Sequence, residues 1–572
     1  MEEPSSDIMK SAFSSPGTPN MYSIPSASRH LTNRSDAFIL ALPSFVNDHA
    51  NGWIAPLSGD VTPRSDAVAC SWLRRAGGCN RGGIMRMWIG FCCVFAALSS
   101  AALSGCQVAS PTLPVDVGQP FWAAGSLDPA ARFALARRST PELIAFLRRM
   151  PKGADLHNHI SGATYSDYLM DSARRNGKMF DTVTLGFTDE EGPNTVSMGT
   201  FEADPELIVA FRNAISMRGW HPNAASGHDH FFAAFTRIGT AGRSVGEMLA
   251  EVMARNAYQN VQYLEMMVTT APVEVVAKFR GAYRGLDLND LEGSFAPFAG
   301  LTRDLEVAAA FTRELDAWEV DALTLLQDEH NLPPERAPMV RYIPQLDRAG
   351  SLETFFVAAV LFMTAVNADE RIVAVNMVAP EDLPSARRQF DAQMRILDFL
   401  WRRLGEPPMT LHAGELSLRE SPVEPMWDRV RRSIDEGHAR RIGHGTSVAW
   451  ERDLVGLLEQ MRAQQILVEV SLSSSEAILG IADEDHPFDL YRRAGVPLCV
   501  CTDDEGVSRS NLTMEYVAAV RRYNLGYADL KRLVRNCINH AFLPAELKAI
   551  QRSELETRFA AFEASLAEGF RE

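Results

Sequence analysis

The sequence predicts an α/β fold, a (β/α)8 TIM barrel with insertions at its rim. Short apolar runs alternate with amphipathic helical stretches through most of the chain, and this order favours a parallel sheet surrounded by helices. Polar residues that suit catalysis follow several of the apolar runs, which is where a barrel places its active site. An open, doubly wound sheet is the alternative fold for the same order of elements.

Seven apolar runs are the candidates for barrel strands. Each run is brief and is bounded by polar residues or glycine, as expected for strands that are buried on both faces. The runs cover residues 154–159, 261–268, 372–378, 409–412, 442–444, 466–470 and 497–502. Amphipathic stretches such as 386–403 and 453–463 lie between them and are predicted to be outer helices.

One interval does not fit a simple strand and helix repeat. Residues 271–348 form a stretch longer than one loop and one helix require, with a helix-like piece at 301–315. We therefore predict that 271–348 is an insertion at the rim of a barrel domain that spans 141–572.

The composition is that of an ordinary globular protein. The chain has 572 residues, of which 46% are hydrophobic and 22% are charged, so it has ample material for a core. Barrels of this class often reach such lengths as one domain. The formal net charge of −16 argues against nucleic acid as a partner, because binding a phosphate backbone requires clustered Lys and Arg.

The first part of the chain differs in character from the barrel domain. Residues 1–84 are rich in Ser, Pro, Asn and Arg and show no helical or strand period, so we interpret them as a disordered leader or as sequence before a misassigned start. An uncharged apolar run at 87–105 follows Arg81 and Arg86, which is typical of an export signal. Residues 107–140 are predicted to be a linker and a first helix.

A lipoprotein-like signal is predicted over 85–106. The apolar run ends in Leu103-Ser104-Gly105-Cys106, which resembles the lipobox of bacterial lipoproteins, in which the Cys is acylated. An uncleaved transmembrane anchor is the alternative, because the run is near the minimum length that spans a bilayer. We expect an exported protein of the bacterial periplasm or envelope, attached to the membrane only through a lipid on Cys106.

The cysteines do not form a disulfide scaffold. Five of the eight lie in the first 106 residues, and only Cys499, Cys501 and Cys537 belong to the predicted barrel domain. Cys499 and Cys501 are two apart in a strand candidate, so their side chains share one face, and we interpret them as core thiols. Zinc ligation by these cysteines is the alternative, but it lacks the C-x-x-C spacing of cytidine-deaminase-type sites.

Histidines and acids follow four separate strand candidates. His157 and His159 end the first candidate, and alternation along a strand places both imidazoles on one face. The later candidates are followed by His412 with Glu415, by His444, and by Asp503 with Asp504. In a barrel these residues converge on one rim, where three neutral imidazoles and one carboxylate suit Zn²⁺ and leave a position for water.

Each part of this pattern has a simpler explanation when taken alone. The segment 228–230 has the same H-x-H spacing as the first histidine pair, so this spacing by itself is a weak signal. The acids at 503–504 are also compatible with a helix N-cap and a first-turn acid. His444 alone is compatible with a core histidine, and Glu415 alone with a surface loop.

Four segments taken together resemble the signature segments of the adenosine deaminase family. They are Leu-His-Asn-His at 156–159, Thr-Leu-His-Ala-Gly-Glu at 410–415, Arg-Ile-Gly-His-Gly at 441–445 and Cys-Thr-Asp-Asp at 501–504. Their order and separations match the family pattern, and the similarity extends from about residue 141 to the C-terminus. The resemblance implies hydrolytic deamination of adenosine or a related 6-aminopurine nucleoside.

The resemblance also implies a role for each polar residue. One zinc ion per chain would be held by His157, His159, His412 and Asp503. Glu415 would donate a proton to purine N1, and His444 would orient the attacking hydroxide and stabilise the charge that develops at the attacked carbon. Asp504 would share a hydrogen bond with purine N7. The expected partner is therefore a small purine nucleoside.

The expected substrate contacts depart from the family pattern. Phe231 and Phe235 resemble apolar lid residues that cover the nucleoside, although packing at i, i+4 spacing explains them equally well. Ser161 replaces an Asp that reaches the ribose 5′-hydroxyl, and Ala379 replaces a Gly whose N–H meets purine N3. The segment 469–474 lacks the Cys-Pro of the family. Exported, growth-factor-like members tolerate such variation.

Two other functions remain open from the sequence. A barrel hydrolase of another kind acting on esters, amides or phosphotriesters often holds two metals bridged by a modified Lys, but no Lys lies between Lys278 and Lys531. A non-catalytic, lipid-anchored nucleoside-binding lipoprotein is the second alternative. Such a protein does not need Glu415, because binding requires no proton donor.

Overall fold

The computed structural model describes residues 121–122, 128–221 and 226–568, and these residues contain eleven strands. In chain order they are β1 Gly153–His159, β2 Met179–Asp181, β3 Gly186–Thr188, β4 Thr195–Ser197, β5 Val261–Val268, β6 Met339–Asp347, β7 Val375–Val378, β8 Met409–Ala413, β9 Ala439–His444, β10 Leu467–Val470 and β11 Leu498–Val500. Eight of them form one sheet in the order β1-β5-β6-β7-β8-β9-β10-β11, and every pairing in it is parallel. The predicted (β/α)8 barrel is confirmed.

The residue after Thr502 closes the barrel between its last and first strands. The backbone N–H of Asp503 donates to the carbonyl of His157 at 2.9 Å, and the N–H of His159 donates to the carbonyl of Asp503 at 3.0 Å. These two bonds continue the parallel ladder beyond β11. The carboxyl ends of β1 and β11 are therefore held side by side.

Outer helices follow the strands and cover the sheet. The main ones are Val245–Tyr258, Val273–Ala282, Leu305–Asp328, Leu352–Val366, Pro384–Arg403, Arg429–Asp435, Leu454–Gln464, Phe488–Ala494, Leu512–Tyr523, Tyr527–His540 and Ala545–Glu568. Pro129–Ala136 and Thr140–Arg149 precede β1, and the short helices Leu291–Phe295 and Glu505–Ser508 lie in loops. Local signals set helix starts, as where Ser244 and Glu247 form a capping box.

The predicted insertion 271–348 is wrong at its C-terminal end. Residues 339–347 are β6, a central barrel strand that pairs with β5 and β7. Polar Arg341 and Gln345 interrupt its apolar pattern, so it lacks the continuous run that marks the other strands. The helix-like piece 301–315 is a 3-10 turn at Leu301–Arg303 followed by a helix that starts after the N-cap Asp304.

A substructure that we call the cap, residues 166–221 and 226–241, lies between β1 and the helix Val245–Tyr258. It contains the helices Ser166–Arg175, Met198–Ala203, Pro205–Ala214 and Gly227–Ile238 and the antiparallel sheet β3-β2-β4. Its apolar side chains form a cluster with those of the turn Ser475–Leu479 that follows β10. The contact is tight, because a Cβ added to Gly227 would lie 1.9 Å from the carbonyl oxygen of Ala477.

The barrel cysteines are free and buried. Cys499, Cys501 and Cys537 form no disulfide, and the sulfur atoms of Cys499 and Cys501 are 3.4 Å apart in the core. Cys499 and Cys501 are core thiols, as the strand alternation predicts. Cys106 and the predicted signal lie outside the described residues, and within the described part of the chain no helix has the length and apolar character needed to cross a membrane.

Candidate active site

Side chains from four of the predicted segments converge at the carboxyl end of the barrel. Four of them, His157, His159, His412 and Asp503, each offer one ligand atom, and these atoms all lie within 4.8 Å of one another. Glu415, His444 and Asp503 form an overlapping group with the same spacing. All six are buried. Strand ends that are far apart in sequence thus build one pocket of ligating groups.

Close contacts hold the first histidine pair against Asp503. The Nε2 atoms of His157 and His159 lie 3.4 Å and 3.1 Å from the same carboxylate oxygen of Asp503. The two Nε2 atoms are 3.2 Å apart. Three ligating atoms at such separations, together with His412, fit one small cation that each of them can contact.

Buried partners set the ring orientation of two of the histidines. His157 Nδ1 lies 2.7 Å from Glu469, and His412 Nδ1 lies 3.0 Å from the side-chain oxygen of Asn376. A carboxylate or amide oxygen accepts a hydrogen bond from Nδ1–H and so places the lone pair of a neutral imidazole on Nε2, an arrangement typical of metal-binding histidines.

The electrostatics favour neutral imidazoles at His159 and His412 opposite an ionised Asp503, whereas His157 is protonated. Burial lowers the pKa of His159, and burial with the charge of His157 holds the pKa of His412 well below its usual range. Burial opposes ionisation of Asp503, but hydrogen bonds from His157 and His159 hold its pKa well below its usual range. Burial likewise disfavours a charged His157, yet Asp503 and Glu469 raise its pKa to about 10, so a bound cation must displace this proton.

Glu415 and His444 lie beside the ligand set. Burial and the charge of Asp503 raise the pKa of Glu415 to about 8, so its carboxylic acid keeps its proton at neutral pH. His444 Nε2 is 3.6 Å from Glu415, and burial lowers the pKa of His444 to about 3. Neither ring nitrogen of His444 has a hydrogen-bond partner among the described residues. A neutral imidazole and a protonated acid are therefore available to a bound molecule.

Asp504 also presents an unsatisfied oxygen. Its Oδ1 is buried and has no hydrogen-bond partner in the described part of the protein. Burial and the charge of Asp503 raise its pKa well above the usual range. The carboxyl group lies directly over Gly162, because a Cβ at that position would be 1.7 Å from Oδ1. A glycine is therefore required opposite Asp504.

Three of the predicted site residues have left-handed backbone conformations. The φ angles are 61° at Asp503, 66° at His444 and 90° at Ala379. Side chains other than glycine rarely adopt these angles, and the cost is of the order of 1–3 kcal/mol for each residue. Such strain is common at functional sites, where the backbone conformation orients the reacting side chains.

We expect Ala379→Gly to raise the free energy of unfolding by about 1 kcal/mol, because glycine adopts φ 90° without a steric penalty. Chemical denaturation of the two proteins measures this difference. The matched control is Ala308→Gly in the helix Leu305–Asp328, which should lose about 1 kcal/mol. Destabilisation by both substitutions would contradict the strain at Ala379.

The remaining predicted substrate contacts and the second H-x-H segment lie outside the ligand set. Phe231 is buried in the apolar cluster of the cap, and Phe235 packs on that cluster, so both take part in core packing. Ser161 is half-buried two residues after β1. His228 does not join the ligand set but pairs with Asp382 at 3.0 Å and thereby links the cap to the segment after β7.

Several residues of the site were missed by the sequence reasoning. Glu469 and Asn376 orient the two histidines described above. Glu381 is buried between Arg348 and Arg429. A signal was present for the first two, since a polar residue within a short buried strand needs a partner. The contacts of Glu381 depend on neighbouring strand ends and have no local signature.

A cavity of about 560 Å³ lies next to two of the four predicted segments. Its lining includes Leu416–Arg419, which follow Glu415, and Thr446 with Ser447, which follow His444. Its size falls in the range of small-molecule pockets. The rim outside the ligand set therefore has room for a further group.

The chain is similar to known deaminases over part of its length. Residues 340–558 match the family model described as adenosine deaminase. An adenosine deaminase of Enterococcus faecalis is 27% identical over 152 residues, which are 27% of this chain and 42% of that protein. An aminodeoxyfutalosine deaminase of Streptomyces coelicolor is 34% identical over 155 residues, which are 27% of this chain and 37% of that protein. The chain thus spans about two fifths of the length of these relatives.

Solved structures were compared as well. Arabidopsis ADAL complexed with IMP has a TM-score of 0.48 and 19% identity, with coverage of 73% of this chain and 99% of that chain.

Proposed function

We propose that this chain, which belongs to the adenosine deaminase family, removes the exocyclic amine of a 6-aminopurine compound by hydrolysis. The reaction consumes one water and yields the 6-oxo purine and ammonia. One observation carries the proposal: a protonated Glu415, a neutral His444 and the unsatisfied Asp504 surround the His157, His159, His412 and Asp503 ligand set. A purely structural cluster has no use for these unpaired groups.

The ligand set fits one zinc ion per chain. Three imidazoles, once His157 has lost its proton to the bound ion, and one ionised carboxylate are the donor types that zinc prefers. A zinc ion bound there supplies the Lewis acidity that makes water an effective nucleophile at neutral pH.

The surrounding residues perform the proton transfers and the orientation. Glu415 delivers its proton to ring N1, which makes C6 electrophilic and avoids an anionic ring. Neutral His444 accepts or donates a hydrogen bond at the attacking oxygen and stabilises charge at C6. Asp504 shares a hydrogen bond with N7 and fixes the plane of the base. The buried position of all three excludes bulk water from the reacting atoms.

The identity of the substrate is the finer part of the proposal. Adenosine and related nucleosides are the first candidates, and the relatives are named for adenosine and aminodeoxyfutalosine. Ser161 offers a hydroxyl where a carboxylate would bind the ribose 5′-hydroxyl strongly, so selectivity for unmodified adenosine should be reduced.

A substrate panel tests the proposed function. The full chain, loaded with one equivalent of Zn²⁺, is incubated with adenosine, deoxyadenosine, adenine and a 5′-substituted adenosine. Purine absorbance and released ammonia are followed together. Equal amounts of 6-oxo product and ammonia are expected from at least one of these compounds. The absence of turnover on every one of them would overturn the proposal.

We expect Gly162→Ala to lower kcat/KM by about 100-fold, because its Cβ must displace the carboxylate of Asp504 from the base. Steady-state kinetics with the best substrate of the panel measures the loss. Gly281→Ala is the control, since a Cβ there has no atom within 4 Å. An unchanged Gly162→Ala enzyme would show that Asp504 does not hold the substrate.

We also propose that the protein is exported and anchored by a lipid on Cys106. The support is the apolar run and the lipobox-like Leu-Ser-Gly-Cys segment. Expression of the full chain in a bacterium with labelled palmitate should place label in wild-type protein and none in Cys106→Ser. Equal labelling of the two, or none in either, would overturn the anchor.

A further inference from the structure

A buried carboxylate holds the backbone of the proposed proton donor. Glu381 lies three residues after β7, and its Oε2 accepts the backbone N–H of Glu415 at 2.8 Å. Glu415 lies two residues after the neighbouring strand β8. One side chain thus links the carboxyl ends of two adjacent barrel strands at the residue that carries the reacting proton.

Two arginines hold Glu381 from its other side. Its Oε1 lies 3.3 Å from Arg348 and 3.2 Å from Arg429, and all three side chains are at most 3% exposed. The guanidinium of Arg348 also donates to the carbonyl of His412 at 2.8 Å. The same cluster therefore fixes both the metal-ligand end of the segment 412–415 and its proton-donor end.

The segment needs such a restraint. Gly414, directly before Glu415, has a φ of 75°, which glycine adopts without steric cost, and a glycine restricts the backbone less than any other residue does. A displacement of a catalytic group by about 1 Å costs about 100-fold in rate. A charged acceptor forms a stronger hydrogen bond to a backbone N–H than a neutral one.

We propose that Glu381 is a positioning residue that holds Glu415 at the distance needed for proton donation. This inference rests on the proposed deaminase function. Glu381 is not part of the ligand set and does not carry the proton that moves. It holds the backbone N–H of Glu415, and its charge also contributes to the raised pKa of the Glu415 carboxyl group.

The test is Glu381→Gln with Glu451→Gln as the matched control. Glutamine keeps the size of the side chain, but its NH₂ group must face either the arginines or the N–H of Glu415, so one of the two contacts is lost. Glu451 is also buried and accepts a backbone N–H, that of Val430, at 2.6 Å, without contacting Glu415.

Steady-state kinetics distinguishes a positioning role from a general loss of structure. We expect Glu381→Gln to lower kcat by 10-fold to 100-fold, with KM within about threefold of wild type and with unchanged zinc content. Glu451→Gln should keep wild-type kcat. A kcat within twofold of wild type in Glu381→Gln, or an equal loss in both variants, would overturn the positioning role.

Hydrogen exchange provides a readout that needs no turnover. The amide of Glu415 should exchange at least about 10-fold faster in Glu381→Gln than in wild type or in Glu451→Gln, because its acceptor is weakened. Unchanged exchange there would overturn the inference. If the wild-type protein deaminates no purine, the proposed function fails, whereas the exchange result still decides whether Glu381 holds Glu415.

Discussion

Glu415→Gln is expected to lower kcat by about 100-fold to 10,000-fold while zinc binding and thermal stability remain close to wild type. The glutamine amide matches the shape of the protonated acid but has no proton to transfer to the ring. The environment of Glu415 supports its role as a proton donor, because burial and the charge of Asp503 raise the pKa of Glu415 to about 8. Removing a neutral acid leaves no uncompensated charge in the pocket.

Steady-state kinetics and zinc analysis of the same preparation provide the measurement. Glu424→Gln serves as control, because Glu424 is an exposed acid later in the loop that follows β8, and it should retain full activity. A Glu415→Gln enzyme that deaminates at the wild-type rate would exclude Glu415 as the proton donor. It would also strengthen the non-catalytic interpretation of the site.

The second large effect is expected at the ligand set. Wild-type protein should bind about one zinc ion per chain, whereas His412→Ala should bind none when zinc is supplied at one equivalent. Its activity should fall by more than about 1,000-fold, because the remaining ligands no longer surround the cation and water is no longer activated. Metal analysis of gel-filtered protein and an activity assay give both values.

His438→Ala is the control for loss of a histidine. His438 stacks on Trp401 with ring centroids 3.7 Å apart, outside the ligand set, so its loss should leave the zinc content unchanged. A wild-type zinc content near two per chain would contradict the single-ion site. It would favour the alternative of a barrel hydrolase of another kind.

The barrel could be predicted because its strands are short apolar runs followed by helices. The exception is β6, in which Arg341 and Gln345 break the apolar pattern that marked the other seven strands. The polarity of Gln345 has a structural reason, since it accepts a hydrogen bond from Asn376 on the next strand at 3.1 Å. A strand whose polar side chains support residues of the site is thus harder to detect by hydropathy.

The candidate site could be predicted only where its residues stand in contiguous motifs. His412 and Glu415 are three residues apart, and Asp503 and Asp504 are adjacent, so these residues can be found along the chain, although only the four segments together indicate the function. The carboxylate of Glu381 and the glycine opposite Asp504 act through space between different strand ends. No spacing in the chain encodes such contacts, and only the folded arrangement shows them.

The cap was not predicted as a unit. Phe231 was considered as a contact to substrate, yet it lies in an apolar cluster that also includes Leu479 beyond β10. The i, i+4 spacing of aromatic residues is the same for packing and for covering a ligand, so it does not distinguish the two. The structure shows the packing, and the contact to substrate stays a prediction.

The closure of the barrel through the peptide of Asp503 has a consequence for the order of assembly. Asp503 pairs with β1 through its backbone and supplies a ligand through its side chain, so the ligand set is complete only after the last strand has docked on the first. Because long chain segments separate these strands, their joining carries a loop-closure entropy cost, and we expect it to come late in folding. We therefore expect partly folded chains to bind a metal ion weakly and tight binding to appear only when the native topology has formed.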